Sequence, residues 1–406
     1  MHPAVCHEFA RARLADQREV GVRRQVPGFL RARSGRRKGH PLMRPAARRL
    51  AAGLGAAGLV MGMALTSAVT AQAAVPDRWG FAFVDRPAVK GIPDQNHQAG
   101  SWPAPMLVHS EPGAPGEVIV RFPSLGTHAG VVHVTAVTQR PVWCQAQKWG
   151  ISGPDEVVDV RCFKVGGNPV FSPFTVLFTA SSGPPPGTPA YSYLHFEPAS
   201  GVITSFNTSG GAITVTPQSA GVWTVKMAGL GSPGQVGGVQ VTAVNKSAPA
   251  KCELDKWTPG KTAQVFVVRC FDAGSTPLDT GWTLSYQRGR AITGKHPKQF
   301  AYTFDNQPLQ PGPYTPAPAG INFNSLSGAN TINAAGTGLR TVKFQKVGRL
   351  PNIVFVTPFQ VGPGFCNLTS LWATPVPNVI VRSVSCFDAT GHPKSQASLV
   401  TYTSSI

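Results

Sequence analysis

The stretch GVQVTAVNKSAPAKCELDKWTPGKTAQVFVVRCFD, residues 238–272, decides the fold. It runs from a Val-Thr-Ala block (239–244) through Cys252 and Trp257 to a turn signal at Pro259-Gly260, then to Cys270 and Phe271. Two β-prone segments around a Pro-Gly turn read as an antiparallel hairpin. The midpoint of the two cysteines is Lys261, beside that turn, so the cysteines face each other across the hairpin.

The same order occurs twice more. Cys144, Trp149, Cys162 and Phe163 precede it, and Cys366, Trp372, Cys386 and Phe387 follow. Turn signals again sit midway, at Gly153-Pro154 and at Pro375 and Pro377. Val132-His-Val-Thr-Ala-Val137 and Val354-Phe-Val-Thr-Pro-Phe359 match the Val-Thr-Ala block. Gly116–Gly126, Gly221–Gly231 and Gly338–Gly348 form a further matching set. Each unit opens on an aromatic pair, read as Phe81/Phe83, Tyr191/Tyr193 and Phe300/Tyr302. Matching points lie 105 to 117 residues apart, the size of one β domain and too long for a solenoid repeat.

Alternation places Val120 and Phe122 inside with Arg121 outside, and repeats this for Val225, Lys226 and Met227 and for Val342, Lys343 and Phe344. In the other block Val132 and Val134 face one way and His133 the other, toward solvent. The expected architecture is all-β, with three tandem antiparallel immunoglobulin-like β-sandwich repeats of about seven strands and one disulfide each. A single larger β assembly is the alternative. The repeats span 74–180, 190–287 and 299–406, joined by a Pro-rich linker (181–189) and a basic one (288–298). Both linkers read as exposed.

The chain has 406 residues and a formal charge of +19, from 37 Lys and Arg against 18 Asp and Glu. Residues 1–73 hold 13 basic and 3 acidic residues, leaving 24 against 15, or +9, for the rest. Arg44, Arg48 and Arg49, the apolar run 50–69 and Ala71-Gln72-Ala73 read as a secretory signal peptide over 43–73. An uncleaved membrane anchor is the competing reading; on the signal-peptide reading the mature chain keeps no transmembrane span. Residues 1–42 fit no export signal and read as an upstream extension that need not be translated. Export with two cysteines per repeat implies the bridges Cys144–Cys162, Cys252–Cys270 and Cys366–Cys386 in an oxidising compartment. If hairpin register holds, Trp149 opposes Val157, Trp257 opposes Val265 and Trp372 opposes Ile380.

Chemistry is sparse in the motifs. No nucleophile elbow, zinc-protease helix motif, P-loop or dinucleotide fingerprint is present. No catalytic residue, cofactor or metal site is expected. His97, His109, His128 and His133 gather in the first repeat at spacings that do not suit a metal. Asp155 and Glu156 fall in a turn and read as solvated; Asp272 and Asp388 read as turn caps. Trp149, Trp257 and Trp372 have two readings: packing against the adjacent bridge, or a face on which a sugar could stack. A basic stripe with interleaved aromatics is missing, so nucleic acid is not expected. A charge of +9 suits loose attachment to an anionic cell envelope or glycan.

The second repeat, with Gly238–Val244, Cys252, Trp257, Val268-Arg-Cys-Phe-Asp272 and Pro277, resembles the uncharacterised secreted β-repeat proteins of actinobacteria. The third repeat departs from that pattern at Ser385 and Pro358. The resemblance implies bacterial secretion and a β-repeat fold, and no activity. The expectation is a secreted, non-catalytic structural or adhesive protein of the cell surface or medium. A secreted hydrolase is the alternative.

Overall fold

Runs of Val, Thr and Phe close on Gly or Pro throughout the chain, which favours short strands and breaks helices. The computed structural model describes residues 77–181, 190–294 and 299–406, and these contain no α-helix. None of their helical turns is long and apolar enough to cross a membrane. The upstream extension, the signal peptide, residues 182–189 of the first linker and 295–298 of the second lie outside the described residues.

The first repeat supplies β1 (Arg78–Val84), β2 (Gln98–Gly100), β3 (His109–Pro112), β4 (Glu117–Phe122), β5 (Val131–Ala136), β6 (Val142–Ser152), β7 (Asp155–Lys164), β8 (Asn168–Pro169) and β9 (Phe174–Ala180). The second supplies β10 (Ala190–Glu197), β11 (Gly201–Asn207), β12 (Ile213–Ser219), β13 (Val222–Ala228), β14 (Gly238–Val244), β15 (Ala250–Pro259), β16 (Ala263–Asp272) and β17 (Gly281–Arg288). The third supplies β18 (Phe300–Asp305), β19 (Asn322–Asn324), β20 (Asn330–Gly336), β21 (Leu339–Phe344), β22 (Asn352–Phe359), β23 (Phe365–Leu368), β24 (Val379–Phe387) and β25 (Ala397–Ser404). Each repeat thus makes two four-stranded sets. The first sets are β2-β1-β9-β5, β11-β10-β17-β14 and β19-β18-β25-β22. The second are β3-β4-β7-β6, β12-β13-β16-β15 and β20-β21-β24-β23. Eight main strands replace the expected seven.

The repeats do not simply follow one another in a row. The second set of one repeat joins the first set of the next through a parallel edge contact, so two of the sheets run on across repeats. Ala146 pairs with Val244, and Leu254 with Phe359. Leu368 pairs with Val137, returning the third repeat to the first. These are equivalent positions, and each seam carries one equivalent hydrogen bond. Asn245 N donates to Ala146 O (3.0 Å), Gln360 N to Leu254 O (3.0 Å) and Thr138 N to Leu368 O (2.6 Å). The three repeats therefore close into a ring with pseudo-threefold symmetry, and their described residues cluster as one unit. The apolar cores cross the same seams. Phe304 and Leu399 of the third repeat join the core of the second, and Trp79 and Phe81 of the first join that of the third.

The axis explains the Val-Thr-Ala block. The threonine in each copy caps a backbone N–H of its neighbour. Val134 N donates to Thr242 Oγ1 (3.2 Å), Val241 N to Thr357 Oγ1 (3.0 Å) and Val356 N to Thr135 Oγ1 (3.1 Å). Because β5, β14 and β22 meet there, they are buried on both faces. His133 is accordingly not on a solvent face: it is 1 % exposed, with Nε2 2.7 Å from Ser285 Oγ and Nδ1 3.3 Å from Thr242 Oγ1. Burial lowers its pKa to about 3. The equivalent residues, Gln240 and Phe355, meet Thr401 by a hydrogen bond and Leu177 within one apolar cluster, respectively.

Three other expectations change. Strand register makes Trp79 and Phe81, not Phe81 and Phe83, the equivalents of Tyr191/Tyr193 and Phe300/Tyr302. Trp149 opposes Val158 and Trp257 opposes Phe266, one residue from the positions set by the cysteines. A β-bulge follows Ala146 and another follows Leu254, directly after the carbonyls that serve the seams. In the third repeat β23 ends at Leu368, and Ala373 rather than Trp372 faces Ile380. The second linker is not exposed along its described part. Arg290, Ala291, Ile292 and Thr293 are buried, Arg290 is paired with Asp77 (3.2 Å), and Ile292 packs with Trp79 and Phe81.

Candidate functional site

The disulfides are Cys144–Cys162, Cys252–Cys270 and Cys366–Cys386, with Cα separations of 4.0, 4.1 and 4.0 Å across their hairpins. In the first two repeats the tryptophan lies on the same strand as the first cysteine, and in the third it follows the end of β23. Two of the three tryptophans are packing residues. Trp257 and Trp372 are 4 % and 3 % exposed, and their Nε1 atoms donate to Gln264 Oε1 (2.7 Å) and Asn352 Oδ1 (2.6 Å). Trp149 alone is only half-buried, and it lines a cleft of 690 Å³ at the seam between the first and second repeats.

The first seam departs from the other two at several positions of the repeat pattern, His195 among them. His195 occupies the register position held by Phe83 and Phe304 in the other repeats. At the third seam Phe83 and His97 fill the space against Trp372, with ring centroids 6.2 and 5.2 Å from it. At the second seam Phe304 packs 4.7 Å from Phe359. At the first, the His195 ring lies 4.5 Å from Trp149 and its Nε2 lies 3.0 Å from Glu197 Oε1. Gly281 makes room for that carboxylate, since a Cβ there would sit 2.5 Å from Glu197 Oε1.

Gln147, the bulge residue before the tryptophan, lines the same cleft and is 6 % exposed. Its Nε2 donates to Lys246 O (3.0 Å), while its Oε1 is buried without a hydrogen-bond partner. A buried acceptor left bare costs free energy unless a donor reaches it. Lys148 pairs with Asp159 (3.1 Å), and Asp279 accepts from Gly221 N (2.7 Å). Among the described residues, Lys246 has no acidic partner within ion-pair distance, and it is exposed at the rim.

The opposite wall includes Thr127 and His128, on a loop held by the Asp155-Glu156 turn. Asp155 Oδ1 accepts from Ser124 N (3.0 Å) and Glu156 Oε2 from Thr127 N (3.0 Å). Glu156 is not solvated: it is fully buried, and burial raises its pKa to about 7 against the hydrogen bond from Thr127. The four histidines of the first repeat are dispersed. His97 is at the third seam, His133 at the axis, His128 at the cleft rim and His109 beside a separate surface hollow. Asp272 and Asp388 cap turns, accepting from Thr276 N and Thr390 N at 2.8 Å.

Chemically, the cleft offers an aromatic surface, an imidazole–carboxylate pair and an exposed ammonium. His195, Glu197 and Gln147 escaped the sequence reading. The signal for His195 was a histidine in an aromatic column, hidden because the first aromatic pair was aligned two residues late. Compared with protein-family models, curated proteins and solved structures, the chain matches none.

Proposed function

We propose that this is a secreted, non-catalytic binding protein of the bacterial cell surface or medium that holds a glycan in the cleft beside Trp149. In this reading a signal peptide precedes three immunoglobulin-like sandwich repeats, and the ring is the scaffold for one site. The observation that carries it is the inequality of three equivalent seams. Two are packed with aromatic side chains, while the first keeps Trp149 half-buried on a cleft of 690 Å³. An aromatic platform with a few fixed polar groups is how concave sites take a ring bearing hydroxyls. Disulfides agree with a compartment outside the cytoplasm.

The test is binding of soluble oligosaccharides, followed by tryptophan fluorescence and calorimetry. Trp149→Ala should weaken binding at least about tenfold while leaving the folded baseline intact. Undiminished binding by that variant would remove the cleft from the function. The hydrolase reading has one place to stand, the His195–Glu197 pair. Release of new reducing ends that stops in Glu197→Gln would favour it over simple binding.

A further inference from the structure

We infer that a second copy of this chain pairs with the outer edge of β12, strand against strand about a twofold axis. The three repeats differ at this position. Ser110, Val215 and Ile332 are equivalent, facing Val120, Val225 and Val342 on the neighbouring strand. In the first repeat the segment 85–97, between β1 and β2, brings Gly91 against Ser110. Gly91 N donates to Ser110 O (2.9 Å) and Ser110 N to Gly91 O (2.8 Å). In the third, the segment 306–321, between β18 and β19, brings Tyr314 against Ile332. Tyr314 N donates to Ile332 O and Ile332 N to Tyr314 O, both at 2.9 Å. In the second, β10 and β11 are joined by 198–200 alone, too short a connection to cover β12. Among the described residues β12 pairs with β13 and with no other segment, and it ends an eight-stranded sheet.

The edge suits a copy of itself. Ala228 N donates to Ala212 O (3.0 Å), so alternation turns the backbone groups of Thr214 and Thr216 toward β13. Those of Ile213 and Val215 then point outward, as Ser110 and Ile332 do in the other repeats. β12 carries no charged side chain, a common guard of an open edge; its guard is Pro217. Pro217 holds an outward position and has no N–H, so a pairing centred on Val215, which sets Ile213 against Pro217, forfeits hydrogen bonds. A pairing centred on Thr214 sets Ile213 against Val215 of the copy on both sides and keeps every bond. Thr214 then meets its own copy in a non-hydrogen-bonded pair, where side chains come closest and Thr–Thr contacts are favourable. Ile213 and Val215, both half-buried, cover each other on the opposite face. The exposed Lys226 beside Thr214 does not oppose this. Three strand spacings, about 14 Å, separate it from its copy, beyond the screening length in physiological salt. The molecule already joins sheets edge to edge, since the sheet that ends on β12 runs through the contact between β15 and β22.

The experiment is sedimentation velocity of the mature chain from micromolar to near-millimolar concentration. The expected result is reversible dimerisation. Val215→Pro should weaken it at least about tenfold and leave the urea midpoint unchanged, because the lost N–H faces outward and Pro217 is already accommodated in this strand. Thr214→Cys should give a disulfide-linked dimer on mild oxidation, and Thr216→Cys should not. A chain that stays monomeric throughout would overturn the inference and leave β12 to an extended peptide of another protein. Undiminished dimerisation of a folded Val215→Pro variant would place the contact on another surface and overturn it equally. If that variant unfolds, the cross-link decides: its absence in Thr214→Cys, or its formation through Thr216→Cys alone, overturns the pairing.

Discussion

Glu253 is a carboxyl where the other repeats carry an amide. Its equivalents, Gln145 and Asn367, each reach the backbone two residues before the first cysteine of the next repeat. Ala250 N donates to Gln145 Oε1 (2.7 Å), and Asn367 Nδ2 donates to Val142 O (3.2 Å). Glu253 accepts from Gln360 Nε2 (2.8 Å) and, like them, faces the backbone two residues before a first cysteine, at the Gly364 N–H. Burial raises its pKa well above the carboxylate range, outweighing the hydrogen bonds from Gln360 and from the Gly364 backbone. A raised carboxyl pKa stabilises the fold fully below the unfolded value, and that contribution is lost as pH rises through the folded value. Glu253→Gln should therefore raise stability at pH 8 and change it little at pH 4, measured by urea unfolding at both. An amide there can donate to the Gln360 carbonyl as Gln145 donates to that of Asn245. Glu156, with its pKa near 7, acts in the same direction, so stability should fall between pH 4.5 and 7, and Glu156→Gln should flatten that slope. His97 and His133, both lowered by burial, act oppositely: their contribution is present above the normal histidine pKa and is lost on acidification.

Among the elements, the axial strands carry the clearest energetic claim. Each threonine of the Val-Thr-Ala block accepts a buried N–H from a neighbouring repeat. Thr242→Val keeps the shape and strands the Val134 N–H, at a cost of about 1–2 kcal/mol. Urea unfolding should show that loss, and the double variant with Thr357→Val should show roughly twice it; an unchanged midpoint would deny the axial caps any weight. Reduction should cost more, roughly 2–5 kcal/mol per bridge, because each disulfide closes its own hairpin. The disulfide pairs were legible because turn chemistry and cysteine spacing are local facts. The buried alternation of Val120 with Phe122 was legible for the same reason. The burial of His133 was not, since period-two alternation assumes one wet face, and at the axis both faces are covered by other repeats. The bulges were not legible either, because they answer to seam hydrogen bonds between residues about a hundred positions apart. Nor was the cleft: it depends on which aromatic column each residue joins, and that is set by strand register.

At the scale of the whole molecule, repeats of domain size suggest beads that separate when the linkers are cut. The closed ring predicts otherwise. Every repeat offers one open edge of its first sheet and one of its second, and both are used by different neighbours. The disulfides lie within repeats, so they cannot hold cut pieces together. The cohesion must come from the seams: edge hydrogen bonds, the axial threonines, and apolar clusters that mix side chains of different repeats. The second linker adds to it, because Ile292 and Arg290 are buried against the first repeat and not held off it. A protease site placed within 182–189, and a second within 295–298, should therefore give pieces that still co-elute at the uncut size in native gel filtration. Under denaturing conditions the same sample should fall to pieces of roughly a repeat each. Pieces that part under native conditions would show that the seams contribute little beyond the chain connection. If they stay together, binding at the first seam should survive the cuts, since Trp149 and Gln147 of one repeat and His195, Glu197 and Lys246 of the next would keep their places across it. Loss of binding on cutting 182–189 alone, with the ring intact by size, would mean that the cleft depends on chain tension there and not on the seam.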